Sequence, residues 1–264
     1  LVALLAVSAL LASCSESELW QNPQTEARDG YIMLNFKTEI PAMQEVVTRA
    51  VDPDGGGVQD MTLFCFDSYG LFISTVKAGV TVQKPGPGEM EGTFKAEVPE
   101  NTRTIHFLAN QNMDEFKEDS FRNKSESEVM AVLEGSSGRM IYWGRFACDA
   151  GNDSNIAEQM ATSGNSVKLI RNHARISVDN PDNNGHIVIT GFAVCNTNAF
   201  GTVAPHHPKK GFDFTWPSSD DPFVTLPVND AKMSDITDVT SSMNQYVFEC
   251  ENSADAPVSV ILRG

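Results

Sequence analysis

Two places near the start of the chain carry residues suited to covalent chemistry. Cys14 ends the apolar run Leu1-Val2-Ala3-Leu4-Leu5-Ala6-Val7-Ser8-Ala9-Leu10-Leu11-Ala12-Ser13. The sequence Leu11-Ala12-Ser13-Cys14, a leucine, two small residues and a cysteine, resembles a bacterial lipobox, in which the thiol receives a lipid. Polar Ser15-Glu16-Ser17-Glu18 follows at once. The run is uncharged and shorter than the roughly 20 residues of a membrane span, so it reads as the apolar region of a signal peptide. Residues 1–14 are therefore expected to be an incomplete lipoprotein signal peptide that begins mid-signal, with Cys14 as the lipidated residue. An ordinary signal peptide with an incidental cysteine is the alternative.

Arg49 is the second place. It lies in Thr48-Arg49-Ala50-Val51, which runs into Asp52-Pro53-Asp54-Gly55-Gly56-Gly57. Exposed loops of small and polar residues are where chains are nicked, so the Arg49–Ala50 bond is the expected cut site. What such a cut would release is the segment before it. In Tyr31-Ile32-Met33-Leu34-Asn35-Phe36-Lys37-Thr38-Glu39-Ile40, the residues Ile32, Leu34, Phe36 and Ile40 fall on one side, and Asn35, Lys37 and Glu39 on the other. That period of two marks a half-buried strand, ended by Pro41. Residues 15–49 thus read as a polar tether (15–29) followed by a removable first strand. The groove left by Ile32, Leu34, Phe36 and Ile40 is read as the working surface.

Other candidate sites yield to plainer readings. Asp52-Pro53-Asp54-Gly55 resembles half a calcium loop but lacks the further oxygen ligands and distal Glu. Gly55-Gly56-Gly57 lacks the Gly-Lys-Ser/Thr of a phosphate loop. His206 and His207 are adjacent, so on an extended chain they point to opposite faces. His106 and His173 lie in strands as packed or partly exposed side chains. No motif suggests a Ser, His and acid trio, and nothing marks a carboxylate pair. The expectation is a non-enzyme with no cofactor and no metal. Cys65, Cys148, Cys195 and Cys250 are widely and irregularly spaced without a Cys-x-x-Cys. An exported protein could pair them, but buried unpaired thiols are the preferred reading.

The formal charge of −16 over 264 residues opposes binding to nucleic acid and to anionic lipid surfaces. Many short apolar runs bounded by turn residues indicate an all-β chain of sandwich domains. Met61–Phe66 is apolar on both faces, and Leu71–Val76 pairs back on it as a hairpin across Asp67-Ser68-Tyr69-Gly70. Gly92–Pro99 is a strand, and Thr104–Asn110 is a central one. Short helices are expected after Asn112 and after Ser125, the latter a capping box stopped by Gly135. Gly144, in the aromatic run Tyr142–Phe146, suggests a bend or bulge. Residues 149–166 read as loop and Val167–Val178 as one long strand. Asp179–Gly185 is the clearest linker. The organisation expected is a first sandwich over 50–178, a linker over 179–185 and a partial second sandwich over 186–264, truncated because about 80 residues is short of the roughly 100 of such a domain.

These residues, taken in order, resemble the fimbrillins, lipoprotein-type fimbrial subunits of anaerobic Gram-negative bacteria with two β-sandwich domains. The lipobox ending at Cys14 carries part of the resemblance. So do Tyr31–Ile40 followed shortly by Thr48-Arg49-Ala50, and Ile170-Arg171-Asn172-His173-Ala174-Arg175-Ile176, which is similar to the strand ending the family's first domain. Tyr246–Asn252 with Val258–Gly264 is similar to a hairpin in its second domain. The resemblance implies two Greek-key, transthyretin-like sandwiches and export as a lipoprotein to the outer membrane. It further implies cutting after Arg49 by an arginine-specific protease, leaving Ala50 as the new N-terminus. The strand Ile32–Ile40 would then be replaced by a strand of another fimbrial subunit. The implied partners are other subunits, that protease, the outer membrane through the lipid, and host or bacterial surface ligands. Shaft and tip roles both stay open. A rival reading is a monomeric surface lipoprotein that binds glycans through aromatics such as Trp143 and Trp216. A secreted β-sandwich hydrolase would need an acid pair, which the sequence does not offer.

Overall fold

The computed structural model describes residues 27–40, 58–85, 90–114, 116–136, 140–178, 188–206, 224–227, 244–252 and 254–264. The chain is all-β with two short helices among these residues. Four strands form one sheet: β1 (Tyr31–Glu39), β4 (Gly79–Pro85), β5 (Met90–Pro99) and β9 (Ser166–Lys168), in the order β4-β5-β1-β9. Five form a second: β2 (Met61–Phe66), β3 (Phe72–Lys77), β6 (Thr104–Ala109), β8 (Tyr142–Ala147) and β10 (Ile170–Arg171), in the order β10-β8-β6-β2-β3.

Alternation explains how the sheets meet. The inward residues of β1 and β5 share a core with Met61, Leu63 and Cys65 of β2 and with Ile105, Phe107 and Ala109 of β6. The other faces of the second sheet bury Phe64, Phe66, Leu108 and Trp143 under Phe121, Met130, Val203 and Val224. β2 and β6 are therefore buried along their whole length, as expected for apolar strands covered on both sides. The hairpin of β2 and β3 and the central place of β6 also match the sequence reading.

Ser125 does cap a helix, α1 (Glu126–Met130), in a capping box with Glu128. The helix ends at Met130 rather than at Gly135. Gly135 instead lies in β7 (Glu134–Ser136), paired with β13 (Phe200–Thr202). A Cβ there would collide with Asn172, so close packing is what requires the glycine. Among the described residues no helix starts at Asn112: its side chain accepts from the Asp114 N–H, an Asx turn, and a 3-10 turn forms later over Glu118–Phe121. The expected loop over 149–166 contains α2 (Ile156–Thr162), capped by Asn155 with Glu158 at the third position and burying Ile156, Ala157 and Met160 against the core.

The long strand expected over Val167–Val178 is three strands in three sheets. β9 lies beside β1, β10 beside β8, and β11 (His173–Ser177) beside β14 (Asn244–Phe248). Gly144 makes the first crossing possible. A Cβ on it would meet Leu169 and the Lys168 carbonyl, each at 2.8 Å. Its role is close approach, and β8 keeps continuous register with β6 through it, with no bulge. The hairpin implied for the C-terminal segments does not form between them, because β14 pairs with β11, and β15 (Ser259–Arg263) pairs with β12 (Gly191–Cys195). The linker Asp179–Gly185 lies outside the described residues. Cys65, Cys148, Cys195 and Cys250 are all free thiols.

Candidate functional site

β1 forms because Ile32, Leu34, Phe36 and Thr38 recur at every second place and turn inward while Asn35, Lys37 and Glu39 turn outward, and because Gly30 takes a positive φ of 77° that turns the chain into the strand. Eight of its residues pair antiparallel with β5, from Tyr31 opposite Pro99 to Thr38 opposite Gly92. On its other edge Lys37, Thr38 and Glu39 run parallel to Ser166, Val167 and Lys168 of β9. The strand is thus internal to its sheet. The Lys37 N–H donates to the Asn165 carbonyl at 2.7 Å, and the Leu169 N–H donates to the Glu39 carbonyl at 2.8 Å. Asn165 offers that carbonyl from a left-handed conformation, φ 53°, just after α2.

Ile32, Leu34, Phe36 and Ile40 all face the core. Phe36 stacks on Phe94 and meets Phe107 edge-on, with centroids 5.0 Å apart. Burying a large apolar side chain is worth roughly 1.5–3 kcal/mol, so four contribute on the order of 6–12 kcal/mol of gross burial. That rivals the net stability of a typical domain, about 5–15 kcal/mol. A nick beyond Ile40 would therefore not by itself expel the strand.

Sequence reading missed three parts of this seat. Thr38 is fully buried on the same face, and its Oγ1 accepts from the Gly92 N–H at 3.3 Å. Its even spacing with Phe36 and Ile40 was the available signal. β9, on the far side of α2, went unrecognised as a partner. The third part is a clip at the entry. The Arg28 backbone N–H donates to Glu97 Oε1 at 2.6 Å and its Nε to Oε2 at 2.8 Å, while its guanidinium lies 4.3 Å from the Tyr31 ring centroid. The backbone donation first, and then the guanidinium, hold the Glu97 carboxyl below its ordinary range.

β1 lies in one sheet and β2, the next described strand, in the other. Residues 40–60 connect them and include Arg49. Cys14, Arg49, Ala50 and Trp216 lie outside the described residues.

Trp143 is unsuited to stacking on a glycan. It is fully buried, and its Nε1 donates to His106 Nδ1 at 3.0 Å. That bond makes Nδ1 the acceptor, so Nε2 carries the proton toward Glu126 Oε2 at 2.8 Å. Arg145 Nε donates to the same carboxylate at 2.7 Å. Burial lowers the pKa of His106. Burial would raise that of Glu126, but the hydrogen bonds from His106 and Arg145 outweigh it and bring the carboxyl down to about 2. The network joins α1 to the second sheet on the face opposite β1. A cavity of about 310 Å³ lies among Arg171, His173, Thr202, Val203, Phe248 and Glu249. His173 packs 3.9 Å from Phe248 by ring centroids, and burial lowers its pKa to about 4.

No protein-family profile matches the chain, and no curated protein does. Among solved structures, it is similar to the tip fimbrial protein Mfa3 from Porphyromonas gingivalis with a C-terminal truncation. The two are 15% identical with a TM-score of 0.47, over 84% of this chain and 71% of that one. It is also similar to candidate cell adhesion proteins from Parabacteroides distasonis (17% identical, TM-score 0.44, 88% of this chain and 75% of that one) and from Bacteroides eggerthii (13% identical, TM-score 0.44, 87% and 74%).

Proposed function

We propose that this protein is a structural subunit, shaft or tip, of a cell-surface fimbria that serves adhesion. It is exported as a lipoprotein on Cys14 and held at the outer membrane through that lipid. An arginine-specific protease cuts after Arg49, so the mature chain begins at Ala50. β1 then leaves, and a strand of another fimbrial subunit takes its place. The exposed surface of the fibre meets host or bacterial ligands.

The observation that carries this reading is the position of β1. It is an internal strand that, with Ile40 just past its end, contributes four large apolar side chains to the core, and the chain runs on from it to β2 through residues 40–60, which include Arg49. None of the four described cysteines forms a disulfide that would tie it down. After a cut at Arg49 only non-covalent contacts would hold it. An incoming strand can replace those contacts by main-chain bonding and pockets for alternate side chains. The buried position of Trp143 removes one of the aromatics named for the glycan-binding alternative.

N-terminal sequencing and fatty-acid labelling of the surface protein test the reading. Fibres should begin at Ala50, Arg49→Ala should leave an uncut membrane-held precursor, and Cys14→Ala should abolish labelling. Fibres that begin at Ser15 or Tyr31 would overturn the cut site.

A further inference from the structure

The seat of β1 discriminates at two adjacent inward positions, and together they describe what can replace it. At the first, Phe36 lies flat on Phe94, its partner across the ladder, with the Phe107 ring against its edge. The site is closed and shaped for a planar ring. At the second, Thr38 is paired on both edges at once, with Gly92 of β5 and Val167 of β9. It is fully buried, and its hydroxyl accepts from the Gly92 N–H. A Cβ on Gly92 would meet the Phe94 ring at 2.5 Å and the Thr38 Oγ1 at 3.3 Å. The missing side chain is what leaves room for ring and hydroxyl together.

We infer that the strand replacing β1 is recognised by an aromatic residue followed two positions later by Thr or Ser, set in a period-two apolar face. This rests on the strand-replacement reading above. The hydroxyl breaks the uniformity of an otherwise apolar face, and that sets the register. A slip of one residue turns every inward side chain outward, and a slip of two puts the hydroxyl in the ring site or the ring against Gly92. Direction is set as well, because the Lys37 N–H and the Glu39 carbonyl are both used on the β9 side. The residue between ring and hydroxyl must therefore keep its N–H and cannot be proline.

Within the 264 residues, only Ile32–Ile40 carries apolar, apolar, aromatic, hydroxyl-bearing and apolar residues at five successive alternate places. The nearest approach is Phe212-Asp213-Phe214-Thr215-Trp216-Pro217-Ser218-Ser219-Asp220. It would put Pro217 where Lys37 donates its N–H and Asp220 where Ile40 is buried. It fails at both, so residues 41–264 do not offer a segment with this pattern.

The test uses the full chain with residues 46–52 replaced by the recognition sequence of an unrelated site-specific protease, so that it does not depend on natural cutting at Arg49. The cut protein is unfolded in urea and refolded by dilution with an excess of fluorescent peptide Tyr31–Ile40 or a variant, and bound peptide is measured. The wild-type and Thr38→Ser peptides should bind within about twofold of each other. Thr38→Val should bind about five- to tenfold more weakly, for one lost hydrogen bond at a closed site. Phe36→Ala should be weaker by about a hundredfold or more, and Lys37→Pro should not be retained. A Thr38→Val peptide that binds within twofold of wild type overturns the recognition rule while strand replacement stands. A wild-type peptide that is not taken up at all overturns both.

Discussion

Phe36 and Phe94 are partners across the β1–β5 ladder, and their rings stack with centroids 5.5 Å apart and planes 17° from parallel. Offset stacking of this kind adds about 0.5–1.5 kcal/mol beyond area burial. It ties β1 to the strand that must stay behind if β1 leaves.

The Phe36→Ala variant of the uncut chain should therefore lose about 3–5 kcal/mol, the range for truncating a buried aromatic. Urea unfolding measures this. A loss below 1 kcal/mol would mean that the strand's inward face contributes little to holding it.

Acid should weaken the joint between α1 and the second sheet. The Glu126 carboxyl, at about 2 in the folded chain against an ordinary 4.5, gives stability that is present above about pH 4.5 and is lost as pH falls toward 2, on the order of 3 kcal/mol. His106 and His173 both sit below the ordinary 6.5, His173 at about 4. The unfolded chain thus takes up their protons first, and stability falls with pH from about 6.5 downward. Unfolding free energy measured from pH 7 to pH 2 should decline throughout. The Glu126→Gln variant should start about 3–5 kcal/mol lower, because buried Arg145 loses its carboxylate partner, and should show a flatter slope below pH 4.5. An unchanged slope would assign the acid sensitivity elsewhere.

The inward face of β1 was legible because Ile32, Leu34, Phe36 and Ile40 announce a period of two. Thr38 was not, because a hydroxyl on that period looks like a polar interruption until Gly92 is seen opposite it. Periodicity also hid the three sheets visited by Ser166–Ser177: it reports which faces are apolar and says nothing of when a strand changes partners. The evidence for that crossing lay in Gly144, whose missing side chain read as a bend within β8 rather than as room for Leu169. α2 was obscured by the polar run before it, although Asn155 and Glu158 carried its capping box. Trp143 looked like a surface aromatic because the sequence does not show that its indole N–H meets His106.

The account's central claim is that strand replacement in the β1 seat, and not ordinary surface docking, builds the assembly. Asn35 and Lys95 face each other on the outward side of the β1–β5 pair, at a spacing that suits a disulfide. The direct measurement is fibre growth by the Asn35→Cys, Lys95→Cys double variant after cutting at Arg49, with and without reductant. The account predicts normal cutting, retention of β1 and no fibres under oxidising conditions, with growth restored on reduction. Normal fibres from fully cross-linked protein would contradict it.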